Sequence, residues 1–367
     1  MLRAELRKTW TRPMVVITFV LVCLAQVFYV TTNYRADSRA ATEAYHAFGG
    51  AMDEGWKRSV HEKFEELWPT PPQTTEYLWN ATMEQRAILT AYDYTFFTDM
   101  LDSYVEGLKG YYGVDPNFDV TLVDAAYADL RTASENGELV FGMSPFGNSM
   151  ANQYMIAWGF LIFMTILCVD QFSGEKVTGM TPMQHATKQG RQRLFWTKFR
   201  VCQVSALAVW LVINTVYGLT LLCCYGWGDL RSVVQDFNYN ACPYDWNTGE
   251  FMSVVLSVSL VVSQMAAVVI FLLARVSGST QRSFALIGGV LILPYLIAFQ
   301  ADLPGISLWL PCLMHGGWLW SGLRFWKVFG LYVQPWQLAA AEMVILTAAS
   351  IPALRHFANL AESANES

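Results

Sequence analysis

The sequence predicts an all-α, polytopic helical membrane protein with six transmembrane helices, a re-entrant helical pair and a mainly helical extracellular domain. Composition gives the first reason: 54% of residues are hydrophobic and 15% charged, against about a quarter charged in soluble domains. Recurring apolar runs give the second, since about 20 helical residues cross ~30 Å of hydrocarbon. The third is the gathering of Lys and Arg in alternate connections.

Residues 13–32, PMVVITFVLVCLAQVFYVTT, form the first span and carry no formal charge. The basic leader MLRAELRKTWTR suggests a signal peptide, but the apolar stretch is too long and TTNYRADS offers no small-x-small cleavage site. The segment therefore reads as a retained anchor. Further spans fall at 153–170, 201–225, 251–274, 283–299 and 335–354, with Pro294 kinking the fifth where neighbours hold the freed backbone. Residues 300–334 are apolar and aromatic, yet Pro304, Pro311 and Gly316–Gly317 break them. A re-entrant external gate of short helices, shielded from lipid by protein, suits such a segment.

Charge sets the orientation. Arg3, Arg7, Lys8 and Arg12 precede the first span; Lys176, Lys188, Arg191, Arg193, Lys198 and Arg200 lie in the connection 171–200. Arg275 and Arg282 fall in 275–282, and Arg355 opens the tail 355–367. The two short alternate connections hold far fewer: Arg231 in 226–250, and Arg324 and Lys327 in 300–334. The positive-inside rule then puts both termini in the cytoplasm of a multi-pass plasma-membrane protein, and 33–152 outside.

That external domain is acidic, with Glu62, Glu65 and Glu66 in one cluster and Asp93, Asp99 and Asp102 in another. HEKFEELW, the run from Thr74 to Leu108 and TLVDAAYADLRTA read as helices, opened by Thr75 or Thr82 and broken by Pro69, Pro71 and Pro72. The acidity reads as surface solvation; His46 and His61 lack ligand spacing, and no metal site is expected. Nothing in the composition points to nucleic acid.

Enzyme constellations are missing: no GxxxxGK[ST] loop, catalytic triad, HExxH or CxxC occurs. FSGEKVTG has the wrong spacing for a phosphate loop, and VSGSTQR lies between two spans with no nucleotide domain around it. Any energy must come from another chain, so no cofactor is expected on this one. Cys23, Cys168 and Cys202 read as core residues. Cys242 and Cys312 fall in expected external segments where a bridge can form, with Cys224 the competing partner.

Polar groups inside spans are costly and therefore informative. Asn214 and Gln264 read first as interhelical contacts and second as part of a transport path. Glu342 needs a partner, for which Arg324 or Lys327 is placed, while Asp170 is expected to pair with the basic loop beside it. Ser253, Ser257, Val261 and Gln264 form a stripe suited to close helix packing, such as a dimer interface.

The connection 171–200 reads as a helix at the cytoplasmic face ending in a basic run, suited to anionic lipid or to a docking partner. Its Glu175, Gly179, Thr181, Thr187, Gly190–Arg191 and Lys198 resemble the coupling loop of the permease family of type-2 ABC exporters. The resemblance implies six spans per subunit, pairing with a second copy or a sister permease, and a separate cytoplasmic ATPase subunit that binds ATP and Mg. It makes Glu175, Gly179, Arg191 and Lys198 the coupling residues. MLRAELRKTW sets Leu2, Leu6 and Trp10 on one face, which resembles that family's interfacial helix over 1–12, although an ordinary positive-inside anchor fits equally. A large domain after the first span departs from better-known members and resembles permeases of small bacterial exporters and peptide-antibiotic immunity systems. The expected function is export of an amphiphilic substrate such as a peptide, antimicrobial, lipid-like molecule or drug. The alternative is a receptor whose acidic ectodomain binds an external ligand.

Overall fold

Six helices of the computed structural model are long and apolar enough to cross a membrane: Pro13–Asn33, Met155–Phe172, Gln192–Tyr225, Thr248–Ser277, Thr280–Ile297 and Pro335–Asn359. The structure describes the chain apart from residues 34–35, 68–80, 143–144, 152–153, 178–187, 237–240, 278, 301–307 and 364–367. It is mostly helical and fits a multi-pass membrane protein.

The second span is the most enclosed of the six. Gly159 lets the first span approach, since a Cβ there would lie 2.7 Å from Val22 Cγ1. Gln26 of the first span donates to the Met155 carbonyl at 3.0 Å, which satisfies its amide nitrogen, while its Oε1 is buried without a partner among the described residues. Further along, the Cys168 and Cys202 sulfurs lie 3.4 Å apart, and Cys202 Sγ meets the Ala267 carbonyl at 3.6 Å. Spans two, three and four are thereby held in register.

Pro294 behaves as expected. The fifth span runs as an α-helix over Thr280–Ile287, a π-helical turn over Gly288–Ile292 and an α-helix over Leu293–Gln300. Proline removes the N–H that an unbroken helix would offer to the Val290 carbonyl. The Trp309 indole donates to that oxygen instead, at 2.8 Å.

The expected boundaries shift in two places. The second-span helix continues to Val177 and the third begins at Lys188. Most of 171–200 therefore belongs to the ends of two long helices, and the basic run opens the third span instead of closing a separate surface helix. Helix propagation is favourable once a span has nucleated it, and only residues 178–187 between them lie outside the description. The segment 300–334 contains the expected pair of short helices, Leu310–Leu313 and a 3₁₀ turn at Gly316–Trp320. It ends in an antiparallel hairpin, Trp326–Val328 with Leu331–Val333, which helical periodicity did not suggest. Its two-residue turn holds Phe329 and Gly330 at positive φ, the geometry that suits tight hairpins.

Between the first two spans lies the expected helical domain: Ala36–Ala47, Glu54–Leu67, Met83–Tyr94, Phe97–Tyr112, Thr121–Glu135 and Pro145–Ala151. Thr82 caps its helix in a capping box closed by Gln85. Thr75 and the prolines 69, 71 and 72 lie outside the described residues. His61 packs its ring against Tyr92, 4.7 Å between centroids.

This domain does not close its core alone. Val233 and Leu323 are buried in it, and Phe325 and Tyr332 pack against it. Tyr127 donates to the Ala241 carbonyl at 2.7 Å, Tyr94 to Gln235 O at 2.9 Å, and the Phe325 amide to the Tyr112 hydroxyl at 3.0 Å. The first, third and fifth connections thus meet on one face, as successive crossings of a membrane require. Asp115 fastens the hairpin to the domain, accepting from Lys327 Nζ at 2.6 Å and from the Tyr332 hydroxyl. The Lys327 hydrogen bond, then that of Tyr332, holds the Asp115 carboxyl well below its ordinary range.

A depressed carboxylate stabilises the fold above its unfolded value, about 3.9, and loses that contribution as pH falls through the folded value. Hydrogen exchange across Trp326–Val333 should therefore stay slow from pH 7 down to about pH 4. In Asp115→Asn it should be fast already at pH 7.

Candidate functional site

Two regions carry polar chemistry within the membrane half. The first is where the second and third spans end near the basic connection. Arg12 donates to the Asp170 carbonyl at 2.9 Å and pairs with its carboxylate. Asp170 thus pairs with the N-terminal segment; the side chains of Lys176, Lys188 and Arg191 in the basic loop, its expected partners, lie outside the description. The N-terminal helix Leu2–Trp10 forms as expected. Its Trp10 donates to Ser205 Oγ at 3.0 Å and packs on Phe19 and Phe163.

Lys198 is buried, and its ammonium donates to the Gln171 carbonyl at 3.0 Å while lying 5.2 Å from the Phe172 ring centroid. A buried ammonium needs such company. Lys198 is therefore a strut between the second and third spans. Glu175 sits in the last turn of the second-span helix and Arg191 in the first turn of the third, their side chains outside the description. Gly179, Thr181 and Thr187 fall among the residues not described.

The second region is a lateral groove between the fourth and sixth spans. One part, about 770 Å³, is lined by Gln203, Val261, Gln264, Met343 and Ala348, among others. Its continuation, about 420 Å³, shares Val261 and Met343 and reaches Trp320 and Trp336. The anticipated packing stripe lies along it: Val261 is 58% exposed, and the Ser253 and Ser257 hydroxyls turn back to the carbonyls of Gly249 and Ser253, both at 2.8 Å. Helix four instead buries its opposite face, Phe251, Val255, Ser259, Val262 and Ala266. Within the chain, the stripe lines open space.

Comparison of the chain with family models, with curated proteins and with solved structures finds no match. The site is read from its geometry.

Among the intramembrane polar residues, Asn214 donates to Trp210 O of its own helix at 2.8 Å, and its Oδ1 is buried without a partner. Gln264 and Gln203 each bury an Nε2 with no acceptor among the described residues. Glu342 buries Oε1 likewise. Its expected partners are engaged elsewhere: Lys327 binds Asp115, and Arg324 acts electrostatically on Tyr104 and Tyr112 of the domain. The hairpin carries Lys327 to the domain. Glu342 instead lies within electrostatic reach of Cys312.

The expected Cys242–Cys312 bridge is not formed, and Cys224 does not replace it; all three are free thiols. Cys242 is buried beneath Gln235, which donates to its carbonyl at 3.0 Å, and burial pushes its thiol up to about 12. A thiol so held supplies almost no thiolate for oxidation. Gln203 escaped the sequence reading because it follows a basic run. Its spacing of three from Arg200 was the available signal.

An unpartnered buried carboxyl is expensive, whereas a paired one stabilises. Glu342→Gln should therefore leave the detergent-solubilised melting temperature unchanged or raised. Arg12→Gln should destabilise by about 2 kcal/mol by stranding Asp170, read as a lowered melting temperature in the same assay.

Proposed function

We propose that the chain is the membrane-spanning permease subunit of an ATP-driven exporter for an amphiphilic substrate, energised by a separate ATPase subunit. One arrangement carries this reading. The helix ends that flank the basic connection are fastened to each other through Lys198 and Gln171, and to the N-terminal helix through Arg12, Asp170, Trp10 and Ser205. A push delivered at residues 178–187 would reach three helices together. That is the mechanical requirement for a chain whose sequence carries no phosphate-loop motif and which a separate ATPase would drive.

The groove supports the substrate class. It opens between spans, toward the position of bilayer lipid, with apolar walls and buried amides. A peptide, antimicrobial, lipid-like molecule or drug bearing both apolar and polar parts suits it. The sixth span, with Val344 68% and Ile345 66% exposed, leaves a face for a second copy or a sister permease.

The receptor reading draws on a different observation, the Asp115 fastening of the domain to the hairpin that leads into the sixth span. A ligand shifting the domain would pull on that helix.

Pull-down from native membranes separates the two. An exporter permease brings down an ATPase with a phosphate loop, and Glu175→Lys abolishes transport at unchanged expression. Equal ATP-driven transport by Glu175→Lys removes Glu175 from the coupling role. Modification of Arg191→Cys by an impermeant reagent from outside intact cells would overturn the exporter proposal itself.

A further inference from the structure

The hairpin over residues 326–333 has two unlike faces. Residues directly opposite in an antiparallel pair share a face, and the face alternates along each strand. Lys327 lies opposite Tyr332; both reach Asp115, and the Tyr332 ring meets Phe118 at 4.8 Å between centroids. Phe325 takes the same side and packs into the domain core. That leaves Trp326 opposite Val333, and Val328 opposite Leu331, on the side away from the domain. All four are apolar, and among the described residues neither the membrane core nor the domain core takes in any of them.

The turn adds to this apolar surface at a conformational cost. Phe329 sits at positive φ, where Asn or Gly is less strained, and its side chain is 103% exposed. Leu331 beside it is 69% exposed. In water such a tip gains nothing from being aromatic.

Where the hairpin leads decides what covers this face. Gln334 alone separates Val333 from Pro335, the first residue of the sixth span. Two residues of extended chain reach at most about 7 Å, comparable with one headgroup layer. Trp336, exposed in the first turn of that span, stands where interfacial aromatics gather. The membrane-embedded surface of the sixth helix is thus continuous with the apolar face of the hairpin, while the domain holds the opposite face.

We infer that the hairpin is an interfacial anchor: Trp326, Val328, Leu331 and Val333 lie on phospholipid of the adjacent leaflet, with Phe329 reaching into it. The domain is seated on the bilayer through Asp115 on the other face. A protein partner would have to enter the headgroup layer to cover the same residues. The anchor requires only that the sixth helix crosses the membrane, so it stands whether or not the chain is an exporter.

The test leaves the chain unaltered and puts the probe in the lipid. Full-length protein is placed in nanodiscs of phosphatidylcholine and phosphatidylglycerol, with some phosphatidylcholine carrying a diazirine near the glycerol end of one acyl chain. After irradiation and digestion, mass spectrometry should find lipid adducts on the hairpin peptide and on the first span, Pro13–Asn33, but none on the acidic helix Glu54–Leu67. Phe329→Asn/Leu331→Asn should cut the hairpin adduct several-fold and keep that of the first span; Asn suits the turn, so the hairpin still forms. An unlabelled hairpin beside a labelled first span overturns the anchor and gives the face to a second copy, another protein or water. Equal labelling of the acidic helix, or an undiminished hairpin adduct in the double variant, overturns it as well.

Discussion

Close approach around the second span is the constraint on which the membrane half depends. In hydrocarbon there is no water to satisfy a stray polar group, so helices must meet tightly and settle their hydrogen bonds among themselves. Gly159 admits the first span, Gln26 reaches the Met155 carbonyl, and the Cys168–Cys202 contact fixes the third. At the end of the same helix, Asp170 takes Arg12 and the Gln171 carbonyl takes Lys198. Remove that hub and the N-terminal helix, the basic run and the fourth span lose their common reference.

Against this hub, the sixth span stands apart. It touches the bundle along a narrow strip and leaves a groove beside the fourth. Among the described residues, polar atoms without a partner occur in both places, on Gln26 and Gln171 at the hub and on Gln203 and Gln264 beside the groove. Glu342, also left without a partner, stands on the sixth helix near Cys312. Polar groups retained inside a membrane protein at such expense are the usual mark of a working surface.

Much of this was legible in the sequence. Spans are counted from apolar length, and lipid imposes that rule uniformly, so all six emerged, as did the helix over Leu2–Trp10 and the Pro294 break. Local rules found Thr82 as a helix cap. Pairing across distance was not legible. Asp170 was matched to the cations nearest in sequence, yet its partner lies 158 residues away. Glu342 was matched to Arg324 and Lys327 by the same reasoning, and a hairpin invisible to helical periodicity carried Lys327 off to the domain. The glutamine at 203 hid behind its basic neighbours, because a donor's vacancy shows only when the facing helix is in place.

The shared core of the domain bears on how the protein is made. Its hydrophobic interior is finished by Val233, Leu323, Phe325 and Tyr332, residues that the ribosome supplies long after the domain's own helices. Until the fifth connection has been threaded to the same side, Tyr112 and Phe118 have no cover and Asp115 has no cation. The domain therefore matures late, although nearly all of its chain is made first. Its compaction reports that the spans up to the fifth have been inserted with the correct parity.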